Sequence, residues 1–247
     1  MIYAVADIHG CYQEFLQLLE KINFTDEDEM YILGDMVDKG PDPIRLIQDL
    51  MARPNIYPIL GNHDFAVITV LRKFNAEITE ENVETHLTAE DMQSYMHWLA
   101  DGGPTTAKQF TELDREAREE VLEYLEDCAL YEEGEVGGRT YVMVHAGLNN
   151  FHPDKKLEEY HFSDLTLYRP DYSKRYYDDK FVVTGHTPTF KIREDGQPWI
   201  YEEKGHIAID CGCIYGLKLA AYCLDTQEAF YVDSLQPPKK KRKKERG

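Results

Sequence analysis

The chain has 247 residues, and its 46 acidic against 27 basic side chains give a formal net charge of −19 at pH 7. The charge is uneven, because seven of the nine residues from 239 to 247 are Lys or Arg. The acidic body is a poor general ligand for nucleic acid, since such binding depends on Lys and Arg neutralising phosphates. Hydrophobic residues make up 43% of the chain, which is enough for a core and excludes a disordered body.

Nothing in the sequence is typical of a membrane or secreted protein. No run approaches the roughly eighteen uncharged apolar residues of a membrane span, and the apolar start 1–6 meets Asp7 too early for a signal peptide. The cysteines are odd in number and lack the spacing of a disulfide framework, as expected for reduced thiols. They are Cys11, Cys128, Cys211, Cys213 and Cys223. We therefore expect a cytoplasmic protein without a membrane partner.

Short apolar runs alternate with helical patterns in the first sixty residues. Runs 2–6, 30–33 and 56–60 are rich in branched or aromatic side chains, which is typical of buried strands. Between them, apolar residues recur at helical spacing in 12–22 and 41–52. This alternation predicts βαβ units and a largely parallel sheet.

The second half of the sequence predicts further strands. Runs 140–144 and 181–184 have strand character, and Gly137 with Gly138 predicts a hairpin turn before the first of them. Near the C-terminus, three runs are predicted to form consecutive antiparallel strands that close a second sheet. These are residues 207–210, 217–224 and 229–232.

The domain organisation is predicted from the segments around these runs. Residues 75–130 are acidic and helical in character, with a helix start at Thr88 and a break at Asp101, and are interpreted as a helical insertion or cap. We expect one domain over residues 1–235 and a basic, disordered tail over 236–247. The tail is similar to a nuclear-import signal or to a solubilising end, and the sequence identifies no partner for it.

Each of the first five strand-like runs ends at, or one residue before, a group that can bind metal or phosphate. The carboxyl ends of strands in an α/β sheet converge on one crevice, and neighbouring glycines allow the backbone to approach a bound group closely. The segments that follow the runs are Asp7-Ile8-His9-Gly10, Gly34-Asp35-Met36-Val37-Asp38-Lys39-Gly40, Gly61-Asn62-His63-Asp64, His145-Ala146-Gly147 and Gly185-His186-Thr187.

The donors in these segments favour a pair of divalent cations. Two carboxylates about 4 Å apart, such as Asp7 and Asp35, repel by roughly 4 kcal/mol at an effective dielectric constant near 20, so they need a cation. Three histidines, two aspartates and one asparagine form a nitrogen and oxygen set without thiolate, which fits Mn²⁺, Fe²⁺ or Zn²⁺ and disfavours a structural zinc site. Two such ions can clamp an in-line displacement at phosphorus.

The order and composition of these segments resemble the calcineurin-like metallophosphoesterases. The resemblance is to the phosphoprotein phosphatase branch, which includes Ser/Thr protein phosphatases and symmetrical diadenosine tetraphosphatases, and it spans roughly residues 1–232. Segment 164–169 is similar to the family's leucine-aromatic-arginine element, and 209–216 to its closing strand. The resemblance implies an α/β fold, a four-layer α/β/β/α sandwich of two mixed sheets with a helical insertion.

The resemblance also implies a role for each motif residue. Six residues would bind two divalent ions, with Mn²⁺ as the first choice and Fe or Zn as alternatives: Asp7 and His9 the first ion, Asn62, His145 and His186 the second, and Asp35 both. A hydroxide bridging the two metals would attack phosphorus without a phosphoenzyme. His63 would protonate the leaving oxygen as general acid, with its ring held by Asp38.

Arg169 and Lys39 would supply positive charge to bind the substrate phosphate, and Asn62 would also contact it. Arg169 presents a planar fork that matches two phosphate oxygens. The family usually has Arg at the position of Lys39, and lysine supplies a point charge without bidentate geometry. We therefore expect catalysis to survive with altered phosphate binding.

The sequence leaves the substrate open. The first choice is a phosphate monoester, with a phosphorylated protein as partner, as for Ser/Thr protein phosphatases. The alternative is symmetrical hydrolysis of dinucleoside tetraphosphates, in which the inserted segment must recognise adenosine. Tyr95 and Trp98 there either stack on a nucleobase or form an ordinary buried stripe. A remote alternative is a non-catalytic binding module on the same fold, although no metal ligand or general acid is lost.

Overall fold

The structure is a computed structural model that describes residues 1–77, 79 and 86–238. Most of the predicted basic tail, residues 239–247, lies outside the described residues, as do 78 and 80–85 of the predicted insertion. The predicted domain limits and the disordered tail therefore stay predictions.

The first sheet contains the predicted βαβ units. Its order is β10-β9-β1-β2-β3, and its strands are β1 (Ile2–Val5), β2 (Glu29–Leu33), β3 (Ile56–Ile59), β9 (Lys218–Cys223) and β10 (Ala229–Asp233). The first three strands are parallel, with Tyr3 opposite Met30 and Met30 opposite Ile56. They are joined by α1 (Tyr12–Lys21) and α2 (Pro43–Met51). Strand β9 runs antiparallel to β1.

The second sheet also has five strands, in the order β4-β5-β6-β8-β7. They are β4 (Tyr131–Val136), β5 (Arg139–Val144), β6 (Lys180–Thr184), β7 (Tyr201–Glu203) and β8 (His206–Ala208). The central strands β5, β6 and β8 are parallel, and the two edge strands are antiparallel to their neighbours. The edge strands were not predicted, because both are rich in glutamate and β7 is short.

The two sheets pack face to face, with helices outside. Along β1, Tyr3 and Val5 belong to the core that includes α1 and α2, whereas Ala4 belongs to the core between the sheets. The hydroxyl of Tyr141 in β5 donates to the carbonyl oxygen of Leu224 at 3.0 Å across that inner layer. The short helix α7 (Phe162–Thr166) covers the other face of the second sheet. The architecture is the expected α/β/β/α sandwich.

One part of the predicted topology is wrong. The runs 207–210, 217–224 and 229–232 are not consecutive strands of one sheet, because β8 pairs in parallel with β6 while β9 and β10 complete the first sheet. The chain crosses between the sheets through a 3-10 turn, η3 (Cys213–Tyr215), flanked by Gly212 and Gly216 with φ of 77° and 78°. Local periodicity identifies strands but not their partners, so it could not show this exchange.

The remaining helices lie between β3 and β4 and near the site. They are α3 (Asn62–Asn75), α4 (Ala89–Ala100), α5 (Pro104–Glu112) and α6 (Arg115–Glu126), with two further 3-10 turns, η1 (Leu157–Glu159) and η2 (Thr189–Lys191). Thr88 caps α4 as predicted, since its hydroxyl accepts from the backbone N–H of Asp91 at 3.1 Å. Within the described ranges, no helix is long and apolar enough to span a membrane.

Candidate active site

The loops after the strands form one cavity of about 200 Å³ at the carboxyl edges of both sheets. It is lined by most of the predicted site residues: Asp7, His9, Asp35, Lys39, Asn62, His63, Arg169 and His186. His145 lies just behind, buried against Asp35. The predicted convergence of five separate segments is therefore observed.

The backbone at this cavity is held in an uncommon conformation. Ordinary residues seldom adopt positive φ, and such residues cluster where the surrounding fold enforces a functional geometry. Six candidate site residues have φ between 47° and 67°. They are Asp7, His9, Asp35, Asp38, Lys39 and His186. None of these positions is glycine, but five of the six are Asp or His, which adopt positive φ more readily than most other residues.

Asp35 is at the centre of the buried donors. One of its carboxylate oxygens, Oδ2, lies 3.4 Å from His9 Nε2, and the other, Oδ1, lies 3.4 Å from His145 Nε2. His145 Nε2 is also 3.1 Å from Asn62 Oδ1. Asp35 thus faces a nitrogen atom that could bind metal on each side, which is the arrangement required of a carboxylate that bridges two metal ions.

The backbone fixes the tautomer of both histidines. His9 Nδ1 donates to the carbonyl oxygen of Val37 at 2.9 Å, and His145 Nδ1 donates to that of Leu33 at 2.7 Å. A ring that donates through Nδ1 and is neutral presents a lone pair at Nε2. The lone pair of His9 faces Lys39 Nζ at 3.1 Å as well as Asp35. The lone pair of His145 faces the oxygens of Asp35 and Asn62, so acceptors meet acceptors there unless a cation lies between them.

Three histidines are held in the neutral form. Burial lowers the pKa of His9 well below its usual value and also lowers that of His145, while burial and the neighbouring His145 lower the pKa of His186 to about 4. Neutral imidazole is the form that binds metal ions. The protonation state of these three residues is therefore compatible with metal binding, and their role as ligands stays a prediction.

Two further buried carboxylates lie close together at the cavity. Asp7 and Asp210 are both buried, and Asp7 Oδ2 accepts from the backbone N–H of His186 at 2.7 Å. Burial, then the negative charges of Asp210 and Asp35, raise the pKa of Asp7 well above its usual value. Burial likewise raises the pKa of Asp210 to about 6. Opposed acceptors and crowded acids together show that the residues present fit divalent cations.

His63 differs from the other three histidines. Its Nδ1 donates to Asp38 Oδ2 at 2.9 Å. Burial acts to lower the pKa of His63, but the hydrogen bond with Asp38 and the charge of Asp35 outweigh it, so the pKa is raised. A buried ring with a raised pKa, oriented by a carboxylate, has the properties of a proton donor.

Asp38 is itself held from two directions. Trp98 Nε1 donates to Asp38 Oδ2 at 2.9 Å, and the Thr106 hydroxyl donates to Asp38 Oδ1 at 2.7 Å. Both donors come from the predicted insertion, one in α4 and one in α5. The insertion therefore orients the His63 ring through Asp38, which sequence patterns did not reveal.

Asp64 connects two of the site loops. Its carboxylate accepts backbone N–H groups from Asp35 at 2.7 Å, Met36 at 2.9 Å and Gly61 at 3.0 Å. Gly61 is required by close approach, since a Cβ there would collide with the backbone nitrogen of Asp35. The Asp64 carboxylate thus sets the position of Asp35 relative to the start of α3.

Positive charge borders the cavity as predicted, with one addition. Lys39 Nζ lies 3.1 Å from His9 Nε2, and the exposed Arg169 lines the opening. Lys191 in η2 lines the same opening and was not predicted. Asp210 was also given no role, although it stands in a segment that resembles a family motif. The signal for Asp210 was its position two residues after the end of β8.

The fold and this donor set define a metal-dependent phosphoesterase, a hydrolase. The chain belongs to the calcineurin-like phosphoesterase family, whose model matches residues 1–204. The family implies divalent metal ions, in agreement with the donors described above.

Individual relatives match the chain to different extents. Over 100 residues it is 41% identical to the symmetrical bis(5'-nucleosyl)-tetraphosphatase of Buchnera aphidicola subsp. Schizaphis graminum (strain Sg), a match that covers 40% of this chain and 37% of that relative. It is 27% identical to the asymmetrical bis(5'-nucleosyl)-tetraphosphatase PrpE of Geobacillus sp. (strain WCH70), over 94% of both chains. A crystal structure of a candidate diadenosine tetraphosphatase shares the fold, with a TM-score of 0.66 and 21% identity over 96% of this chain and 94% of the other.

Proposed function

We propose that this chain hydrolyses dinucleoside tetraphosphates with the help of two divalent cations. The observation that carries the substrate class is the similarity to the asymmetrical tetraphosphatase PrpE of Geobacillus over 94% of both chains. This choice replaces the phosphate monoester as first candidate, because a fold shared by many phosphatases does not determine a substrate.

The residues predicted from the sequence are proposed as the metal ligands. Asp7 and His9 would hold one ion, Asn62, His145 and His186 would hold the other, and Asp35 would be available to both. Mn²⁺ is our first choice, since a nitrogen and oxygen donor set without sulfur suits it. When bound, the two ions neutralise phosphate charge and supply a water of lowered pKa for attack on phosphorus.

The side chains of the protein bind the phosphate and transfer a proton to the leaving oxygen. Lys39 and Arg169 supply positive charge at the cavity opening, which favours a chain of phosphates over a neutral ligand. His63 uses Nδ1 for Asp38, so Nε2 is the atom that can donate a proton to the leaving oxygen. Asp38 holds this orientation and stabilises the imidazolium before transfer.

The test compares substrates with the full chain in Mn²⁺. The panel contains diadenosine tetraphosphate, a phosphoserine or phosphothreonine peptide, and p-nitrophenyl phosphate, each compared by kcat/KM. We expect the highest kcat/KM for the dinucleotide, with AMP and ATP as products of asymmetrical hydrolysis. Two ADP would instead indicate symmetrical hydrolysis.

A different ranking would change the conclusion. A higher kcat/KM for the phosphopeptide would overturn the dinucleotide proposal and restore the Ser/Thr protein phosphatase prediction. Absence of turnover on all three substrates by metal-loaded protein would favour the non-catalytic binding module.

A further inference from the structure

A second cavity, of about 430 Å³, opens beside His63 between α3 and α4. It shares three lining residues with the catalytic cavity, namely Asn62, His63 and Asp101. The two cavities are therefore contiguous, and the candidate proton donor stands at their boundary. We call the second cavity the α3–α4 groove.

The proton donor fixes which part of a substrate reaches the α3–α4 groove. His63 Nδ1 is occupied by Asp38, and His63 Nε2 lies 3.6 Å from Asp101 Oδ2. The leaving oxygen must approach Nε2 to receive a proton, so it lies at the boundary of the two cavities. The remainder of the leaving group then continues away from the metal ligands and into the groove.

The lining of the groove suits a flat, neutral ring with polar edges. Phe65 is exposed over 43% of its surface, although it is a large aromatic residue, and Ala66 and Val70 extend the apolar surface beside it. The far wall carries the polar side chains Ser94 and His97. Aromatic side chains stack on any nucleobase, and polar neighbours can bond to its edge.

Charge separates the two cavities. The catalytic cavity carries Lys39, Arg169 and Lys191, which do not line the groove. Asp101 at the shared boundary has an exposed carboxylate that disfavours a polyphosphate on the groove side, which favours AMP, with its single phosphate at the boundary, as the leaving group. A ligand with a polyphosphate at one end and an uncharged aromatic ring at the other matches this separation.

The residues suggested by sequence as stacking partners have other contacts. Trp98 is 4% exposed, and its indole nitrogen bonds to Asp38. Tyr95 packs on Phe74 with ring centroids 4.6 Å apart. Trp98 lines the groove but is too buried to receive a base, and Tyr95 is not among the residues that line it. Phe65 is supported behind by Phe162, with centroids 4.2 Å apart, and is the available aromatic surface of the groove.

We propose that the α3–α4 groove binds the nucleobase of the leaving nucleotide by stacking on Phe65. This inference rests on the proposed function, since it assumes a nucleotide substrate. It assigns base recognition to the first turn of α3, directly after the candidate proton donor. The leaving group is thereby aligned on His63 by contacts at both of its ends.

The test uses Phe65→Ala and measures the ratio of kcat/KM for diadenosine tetraphosphate to kcat/KM for p-nitrophenyl phosphate, which has no base. Because stacking on an aromatic side chain contributes about tenfold or more to binding, this ratio should fall by about that factor. Phe65→Tyr retains a ring and should keep the wild-type ratio. Tyr57→Ala removes an aromatic residue that is 42% exposed but lies outside both cavities, and it is the matched control.

The possible outcomes distinguish failure of the base-stacking inference from failure of the proposed dinucleotide hydrolysis. An unchanged ratio in Phe65→Ala, with dinucleotide turnover retained, would overturn base stacking but leave the dinucleotide activity intact. A similar fall of the ratio in Phe65→Tyr would also reject stacking, since that variant keeps the ring. If the wild-type chain did not hydrolyse the dinucleotide, the function and this inference would both fail.

Discussion

The indole nitrogen of Trp98 donates a hydrogen bond of 2.9 Å to the carboxylate of Asp38, 60 residues away along the chain. Asp38 is fully buried and orients His63. A helix of the predicted insertion therefore contributes to the proposed proton-donating pair through Asp38. The insertion is part of the catalytic apparatus that we propose.

Trp98→Phe should slow turnover while leaving metal binding intact. It removes the donor but keeps most of the ring, and a hydrogen bond to a charged group contributes about 1.5–3 kcal/mol. We expect kcat to fall by roughly ten- to a hundredfold for a poor leaving group, and less for p-nitrophenyl phosphate, which needs little protonation. Trp199→Phe, at an exposed tryptophan outside the site, is the control. Equal losses on both substrates would indicate a structural effect instead.

His63→Asn and Asp35→Asn should separate catalysis from metal binding. Removing a general acid costs about 10²- to 10⁴-fold in rate, so His63→Asn should retain both metals and lose most turnover. Asp35→Asn removes the central carboxylate and should reduce the content of both metals. Elemental analysis after gel filtration, paired with kcat on diadenosine tetraphosphate, checks both. Full metal content in Asp35→Asn would contradict its bridging role.

Lys39→Arg should improve substrate binding more than turnover. The longer planar fork offers two parallel bonds to phosphate where lysine offers one charge. We expect KM for the dinucleotide to fall with kcat little changed, and Lys39→Ala to raise KM. Steady-state kinetics over a range of salt measures the effect, because charge-based binding weakens with ionic strength. An unchanged KM in Lys39→Ala would exclude the phosphate contact.

Asp210 should make the metal-free protein less stable as pH rises from about 4 to about 6. The folded state raises the pKa of Asp210 to about 6, whereas the unfolded chain releases this proton near 3.8. The folded state thus binds more protons in this interval, and its stability falls as pH rises, by about 3 kcal/mol from Asp210. Urea unfolding in EDTA should be compared between wild type and Asp210→Asn, because the lowered pKa values of His9, His145 and His186 give the opposite pH dependence in both proteins. We expect the wild type to lose stability relative to Asp210→Asn as pH rises through this interval. Mn²⁺ should restore stability at pH 7, since ligand binding favours the folded state. A stability difference between the two proteins that does not change with pH would contradict the assignment.

The sequence alone determined the parts of the protein that are encoded locally. Strands β1, β2 and β3 were visible as apolar runs, and α1 and α2 as helical periodicity, because burial of one face imposes a repeat. The predicted ligands were identifiable because each follows a strand, and strand ends in such a sheet converge on one edge. The class, a metal-dependent phosphoesterase, could therefore be predicted from the sequence.

Tertiary structure decided what depends on partners distant in the chain. Strand β9 joined β1 instead of β8, and Trp98 became a donor to Asp38 instead of a stacking surface. Phe65 lies exposed in the groove that α3 and α4 enclose beside His63. Residue type and spacing describe what a side chain can do, but its neighbours across the fold decide which of its donors, acceptors and faces remain available.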